Sequence, residues 1–72
     1  MTEQVDARGL SCPQPVLLTM DKLRTLNQGE LVVLVDTDTS RENVSRAAVS
    51  LGWQVKEVQP EGDEFRIVLQ KG

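Results

Sequence analysis

Two hydrophobic periodicities alternate along the chain. Gln4 to Ala7 puts Val5 and Ala7 on one side of an extended segment and predicts a short strand. Arg8-Gly9-Leu10-Ser11 reads as a turn. Val16, Met20 and Leu23 then fall on one helical stripe, flanked by Leu17 and Leu26. That spacing predicts a helix from near Pro13 to about Leu26, because proline suits a first helical turn. Asn27-Gln28-Gly29 supplies the stop. Leu31 to Val35 is an unbroken aliphatic run, the mark of an interior strand.

After a polar loop, Asp36 to Thr39, Ser40 is read as the N-cap of a second helix. Val44, Ala47, Ala48 and Leu51 sit at i, i+3, i+4 and i+7 on its inner face, and Gly52 ends it. Trp53 to Val58 is a third strand. Its alternation starts with Trp53 and Val55 and slips at Val58, as a β-bulge would produce. Pro60 to Asp63 is a turn, and Phe65, Ile67 and Leu69 alternate through a fourth strand.

The resulting order is βαβαββ. Two helices and four short strands cannot cover both faces of a sheet. The expected architecture is therefore an α/β (α+β) two-layer sandwich: a four-stranded mixed sheet with both helices on one face. The last two strands form an antiparallel hairpin, and Glu64, Arg66 and Gln70 point outward from the wetter face. At 72 residues, with no repeat, linker or low-complexity stretch, the chain reads as one domain, 1–72.

Composition removes several function classes. Eight Lys and Arg against eleven Asp and Glu leave a net charge of -3, with the bases scattered. Trp53 and Phe65 are the only aromatic residues. Neither a basic stripe nor a stacking platform is present, which argues against nucleic acid. The longest apolar run has the five residues Leu31 to Val35, far below the roughly 20 of a spanning helix, so no membrane insertion is expected. No secretory signal is read at the start. The single cysteine, Cys12, permits no intrachain disulfide, and the cytoplasm is the expected location. The absence of histidine removes Ser-His and Cys-His triads and the commonest metal ligand; no metal or cofactor is expected.

Chemistry is therefore confined to Cys12-Pro13-Gln14-Pro15. If Cys12 caps the first helix, Pro13 and Pro15 contribute no N–H to the first turn. The Gln14 N–H remains as a donor, with that of Val16 behind it. Unpaired amides and the positive helix end stabilise a thiolate and lower the thiol pKa. The two prolines stiffen the turn, and Arg8, across Gly9, can add positive charge. Such a thiolate can accept a sulfane sulfur and give it up to another thiol, without a base or a second cysteine. The competing reading is a cysteine packed as a small hydrophobe.

The stretch Asp6-Ala7-Arg8-Gly9-Leu10-Ser11-Cys12-Pro13-Gln14-Pro15-Val16 resembles the N-terminal signature of the TusA-like (SirA-like) sulfur carrier family. The similarity continues through Leu31 to Asp36, the Leu51-Gly52-Trp53 corner and the last strand. It implies the two-layer fold, a persulfide on Cys12, and sulfur exchange with desulfurases, rhodaneses or DsrE-type proteins. Val35 to Val44 further resembles YedF-type proteins, which are linked to selenium metabolism and usually carry a C-terminal domain. The tRNA-thiolation members have paired aspartates, a proline and a helical aspartate in this region. Asp36-Thr37-Asp38 and Asn43 depart from that pattern. The departure separates carrier chemistry from the tRNA relay.

Leu18 lies off the buried stripe, on a surface shared with Gln14 and Lys22. Leu18 and Lys22 are candidate docking contacts, against the plainer reading of an exposed leucine and a solvated lysine. Asp36 and Asp38 read as a polar lead-in to the Ser40 cap rather than a cation site, and Trp53 as core packing. Three functions stand open at this stage: a sulfur carrier, a selenium-handling carrier on the same thiol, and a noncatalytic protein-interaction or regulatory module. The pattern assigns no oligomeric state.

Overall fold

The structure, a computed structural model, describes residues 3–10 and 14–72. Its elements are β1 (Glu3–Asp6), α1 (Gln14–Leu26), β2 (Gly29–Val35), α2 (Asp38–Ser50), β3 (Gln54–Glu61) and β4 (Glu64–Lys71). They form a single four-stranded sheet in the order β1-β2-β4-β3. β1 is parallel to β2, and β4 is antiparallel to both β2 and β3. It follows that β1, β2 and β3 all run the same way, with β4 inserted against them. Among the described residues no helix is long and apolar enough to cross a membrane.

The aliphatic run explains the centre of the sheet. Leu31, Val33 and Val35 point to one face and are fully buried, opposite Leu69, Ile67 and Phe65 of β4. Leu23 of α1 and Val44 and Ala48 of α2 join the same cluster, so both helices cover that one face. On the other face Val32 and Leu34 are shielded by their neighbours, while Arg66 and Gln70 are exposed. Glu64 on this face is half-buried.

The bulge lies where the hydrophobic phase slips. Val55 pairs with Leu69 and Glu57 with Val68, which leaves Lys56 as the extra residue. Val58 is thereby returned to the core side opposite Ile67, and both valines pack against the core. The strand then runs on through Pro60, beyond the expected end at Val58. β3 is an edge strand, where a residue without an N–H is tolerated. The turn shortens to Gly62-Asp63, rather than occupying all of Pro60 to Asp63.

Two further expectations are corrected. The cap of α2 is Thr37, not Ser40: Thr37 is extended, and its Oγ1 accepts the Ser40 N–H at 3.0 Å. Ser40 sits inside the first turn and is buried. Both residues are good caps, but Thr37 also places Asp38 at the positive end of the helix. On α1 the buried line is Pro15, Thr19 and Leu23, with Val16 and Leu26 packed beside it. Met20 is half-buried and Leu17 is 57% exposed. Thr19 can occupy the core because its hydroxyl donates to the Pro15 carbonyl at 2.8 Å, leaving no polar atom unpaired.

Gly52 closes α2 with φ of 87°. The Gly52 N–H donates to Val49 O at 3.0 Å, and the Trp53 N–H to Ala48 O at 2.9 Å. This paired pattern swings Trp53 back under the helix, where it is buried. Ile67 has zero exposure and belongs to the core cluster that joins the helical and strand layers. Ile67→Ala should lower unfolding stability by about 2–5 kcal/mol, read from urea denaturation with the far-UV spectrum of the native state unchanged.

Candidate functional site

Because three strands run in parallel, their carboxyl ends meet at one end of the sheet. The loop after β1, the loop after β2 and the β3–β4 hairpin gather there. This is where open α/β sheets place their chemistry, and it is where the cysteine-bearing segment begins.

That segment is pinned residue by residue. The Ala7 N–H donates to Leu34 O at 2.8 Å, extending the β1–β2 pairing past the end of β1. The Gly9 N–H donates to the Asp36 carboxylate at 2.8 Å. Leu10 packs against the core. Gly9 has φ of 78°, in the left-handed region that favours glycine. Among the described residues, and apart from its chain neighbours, no atom lies within 4 Å of where its Cβ would stand, so the demand these residues place on this position is on the dihedral. Gln14 is the exposed first residue of α1, and Pro15 is buried in its first turn. Ser11, Cys12 and Pro13 lie outside the described residues, and with them the expected thiol cap.

Arg8 faces two carboxylates. Its Nε and Nη2 donate to Oδ1 and Oδ2 of Asp6, each at 2.9 Å, and Nη1 donates to Glu64 Oε1 at 3.1 Å. The Arg8 N–H also donates to Asp6 Oδ1 at 3.1 Å. The guanidinium thus joins the end of β1 to the start of β4. Its pKa is raised by the hydrogen bonds to Asp6 and Glu64. The Asp6 carboxyl is pulled down to about 2, first by the side-chain hydrogen bond from Arg8 and then by the Arg8 N–H.

Asp36 was legible only as part of a polar loop; its role is to hold Gly9 across 27 residues of sequence. Asp38, the other acid of that loop, reaches Arg41 at 3.4 Å, and Arg41 lies over the Phe65 ring at 5.4 Å. Among the described residues no three carboxylates gather closely enough to hold a metal ion.

Leu18 and Lys22 do share a surface. With Gln4, Val5, Asp21 and Thr25 they line an open groove of about 650 Å³ between α1 and β1. Leu18 is 44% exposed. Lys22 Nζ stands 3.3 Å from Glu3 Oε1 and so is already paired.

The Asp6–Arg8 pair predicts an acid titration. A carboxyl whose folded pKa is depressed stabilises the fold above its unfolded value, and that contribution is lost as pH falls through the folded one. Here the window runs from about pH 4 down to about 2. The Asp6 carboxyl carbon should titrate near 2 by NMR, and in Arg8→Ala it should return close to the ordinary 3.8.

Comparison with known proteins agrees with this architecture. The family model described as sulfurtransferase TusA matches residues 3–71. The chain is 35% identical over 68 residues to the sulfur carrier protein TusA of Pseudomonas aeruginosa, covering 93% of this chain and 86% of that one. It is 39% identical over 70 residues to a putative sulfur carrier protein of Methanocaldococcus jannaschii, covering 96% and 93%. The crystal structure of a SirA-like protein from Desulfitobacterium hafniense matches with a TM-score of 0.87 at 32% identity, over 100% of this chain and 99% of that one. With the βαβαββ fold and the strand-end loops in place, the chain belongs to the TusA family.

Proposed function

We propose that the protein is a sulfur carrier that holds one sulfane sulfur as a persulfide on Cys12 and passes it to a partner protein's thiol. The observation that carries this reading is the sequence position of the lone thiol. It falls between a turn tethered through Gly9 and the first residue of a 13-residue helix, in a chain that matches the family over 3–71. Free amides at a helix start favour a thiolate. Pro13 and Pro15 limit those amides to Gln14 and Val16 and stiffen the approach.

The chemistry balances without a base. The Cys12 thiolate attacks the outer sulfur of a donor persulfide. A new S–S bond forms to Cys12, the donor's S–S bond breaks, and the electron pair leaves on the donor thiolate. An acceptor thiolate then attacks the outer sulfur on Cys12, and the Cys12 thiolate is restored. Neither step changes the overall oxidation state, so no cofactor enters.

The partners in this reading are proteins with reactive thiols, sulfur donors and acceptors of the desulfurase, rhodanese or DsrE type that the family resemblance implies. The reduced thiol suits the cytoplasm. The α1 groove with Leu18 and Lys22 is the docking surface in this reading, with Lys22 exchanging Glu3 for an acid of the partner.

The purified protein should gain the mass of one sulfur atom when incubated with a persulfide-charged desulfurase. A reductant or Cys12→Ala should abolish the gain. Folded protein that never gains that mass, and whose thiol resists alkylation until unfolding, would instead be an inert interaction module. Leu18→Glu should slow sulfur acceptance about tenfold, equivalent to ~1.4 kcal/mol, with the rate of alkylation by a small reagent unchanged.

A further inference from the structure

We infer that Asp36 is a positioning residue for Cys12, acting through the Gly9 amide rather than by contact with sulfur. The inference rests on the carrier reading above and assigns its geometry to a residue outside the Cys-Pro-Gln-Pro motif.

Two kinds of contact hold the segment that enters the thiol site. Arg8 is held by ion pairs in which all three side chains are 41–54% exposed. Pairs that open to water are screened, and each holds a loop only weakly. The Gly9 bond differs in reach: the Arg8 N–H bonds a carboxylate only two residues back, whereas the Gly9 N–H bonds one 27 residues away at the end of β2. A carboxylate accepting a backbone N–H is charge-assisted and acts on the main chain itself. It also acts at the residue whose φ of 78° sets the direction of the turn. Asp36 follows directly on β2, whose last residue, Val35, is fully buried. The acceptor is therefore mounted at the end of an interior strand, and it holds the turn three residues upstream of Cys12. Loss of the tether frees the turn that leads, three residues on, into Cys12, while α1 keeps its start.

The test is the pH profile of Cys12 alkylation, which needs no sulfur donor. Asp36→Ala removes the acceptor; Asp36→Asn removes the charge and keeps an oxygen for the Gly9 N–H. The charged groups around this end are Asp6 and Arg8 from β1 and its loop, Glu61 and Asp63 from the end of β3 and its hairpin, Glu64 and Arg66 from β4, and Asp38 and Arg41 from α2. All of these remain in both variants, so their common field cancels from the comparison. In Asp36→Ala the midpoint should rise toward the free-thiol value of about 8.5, with alkylation roughly tenfold slower below both midpoints. Asp36→Asn, which keeps a weaker neutral acceptor, should shift the midpoint by less than half as much. Should Asp36→Ala fail to fold by circular dichroism, Asp36→Leu, of similar size and without an acceptor, takes its place. A wild-type midpoint in the acceptor-free variant overturns the inference, as does a shift in Asp36→Asn as large as that in Asp36→Ala. A wild-type thiol that itself titrates like free cysteine would instead count against the helix-start argument, which separates the two failures.

Discussion

The whole arrangement depends on β4 lying between β2 and β3. Leu31, Val33 and Val35 need an apolar partner on the helix-covered face, and the last strand of the chain provides it with Ile67 and Leu69. A strand from the far end of the sequence therefore completes the centre, and the pairing spans roughly 30 to 40 residues. Contacts of such sequence separation form late and tie the two halves into one cooperative unit. Insertion of β4 also leaves β1, β2 and β3 parallel, and this orientation collects three loops at one end. The site is a product of topology before it is a product of any motif.

Within that end, electrostatics and hydrogen bonding divide the work unequally. Arg8 is the most heavily bonded side chain of the loop, yet its contacts are exposed and screened. Its charge is matched by Asp6 and Glu64, so it serves as a strap between strands. The 2.8 Å bond from the Gly9 N–H to Asp36 ties the backbone of the turn to the end of β2. The rest of the molecule follows the same economy. Thr19 enters the core by bonding to Pro15, and among the described residues no buried side-chain nitrogen or oxygen lacks a partner.

What could be read from the residues depended on how local the cause was. The run Leu31 to Val35 announced the central strand, and the odd spacing of Val55 and Val58 announced a bulge, because strand phase is a local property. Hydropathy turned α1 by about one position, since it scores Thr19 as polar and does not register the bond that hides its hydroxyl. Thr37 and Ser40 offer the same capping chemistry, and only the observed backbone distinguishes them. Pro60 looked like a turn residue because sequence does not reveal that β3 is an edge. The partners Gly9–Asp36 and Arg8–Glu64 lie 27 and 56 residues apart, beyond any pattern a single segment can display. The carrier motif around Cys12 was legible as a signature, and the tether behind it was not.

The outer border of β3 has a further consequence. A bulge, a proline without an N–H, and exposed Lys56, Glu57 and Gln59 all lie along a strand with one unpaired side. Such a rim is a poor template for a stray strand, which protects a small sheet from stacking into fibrous aggregates.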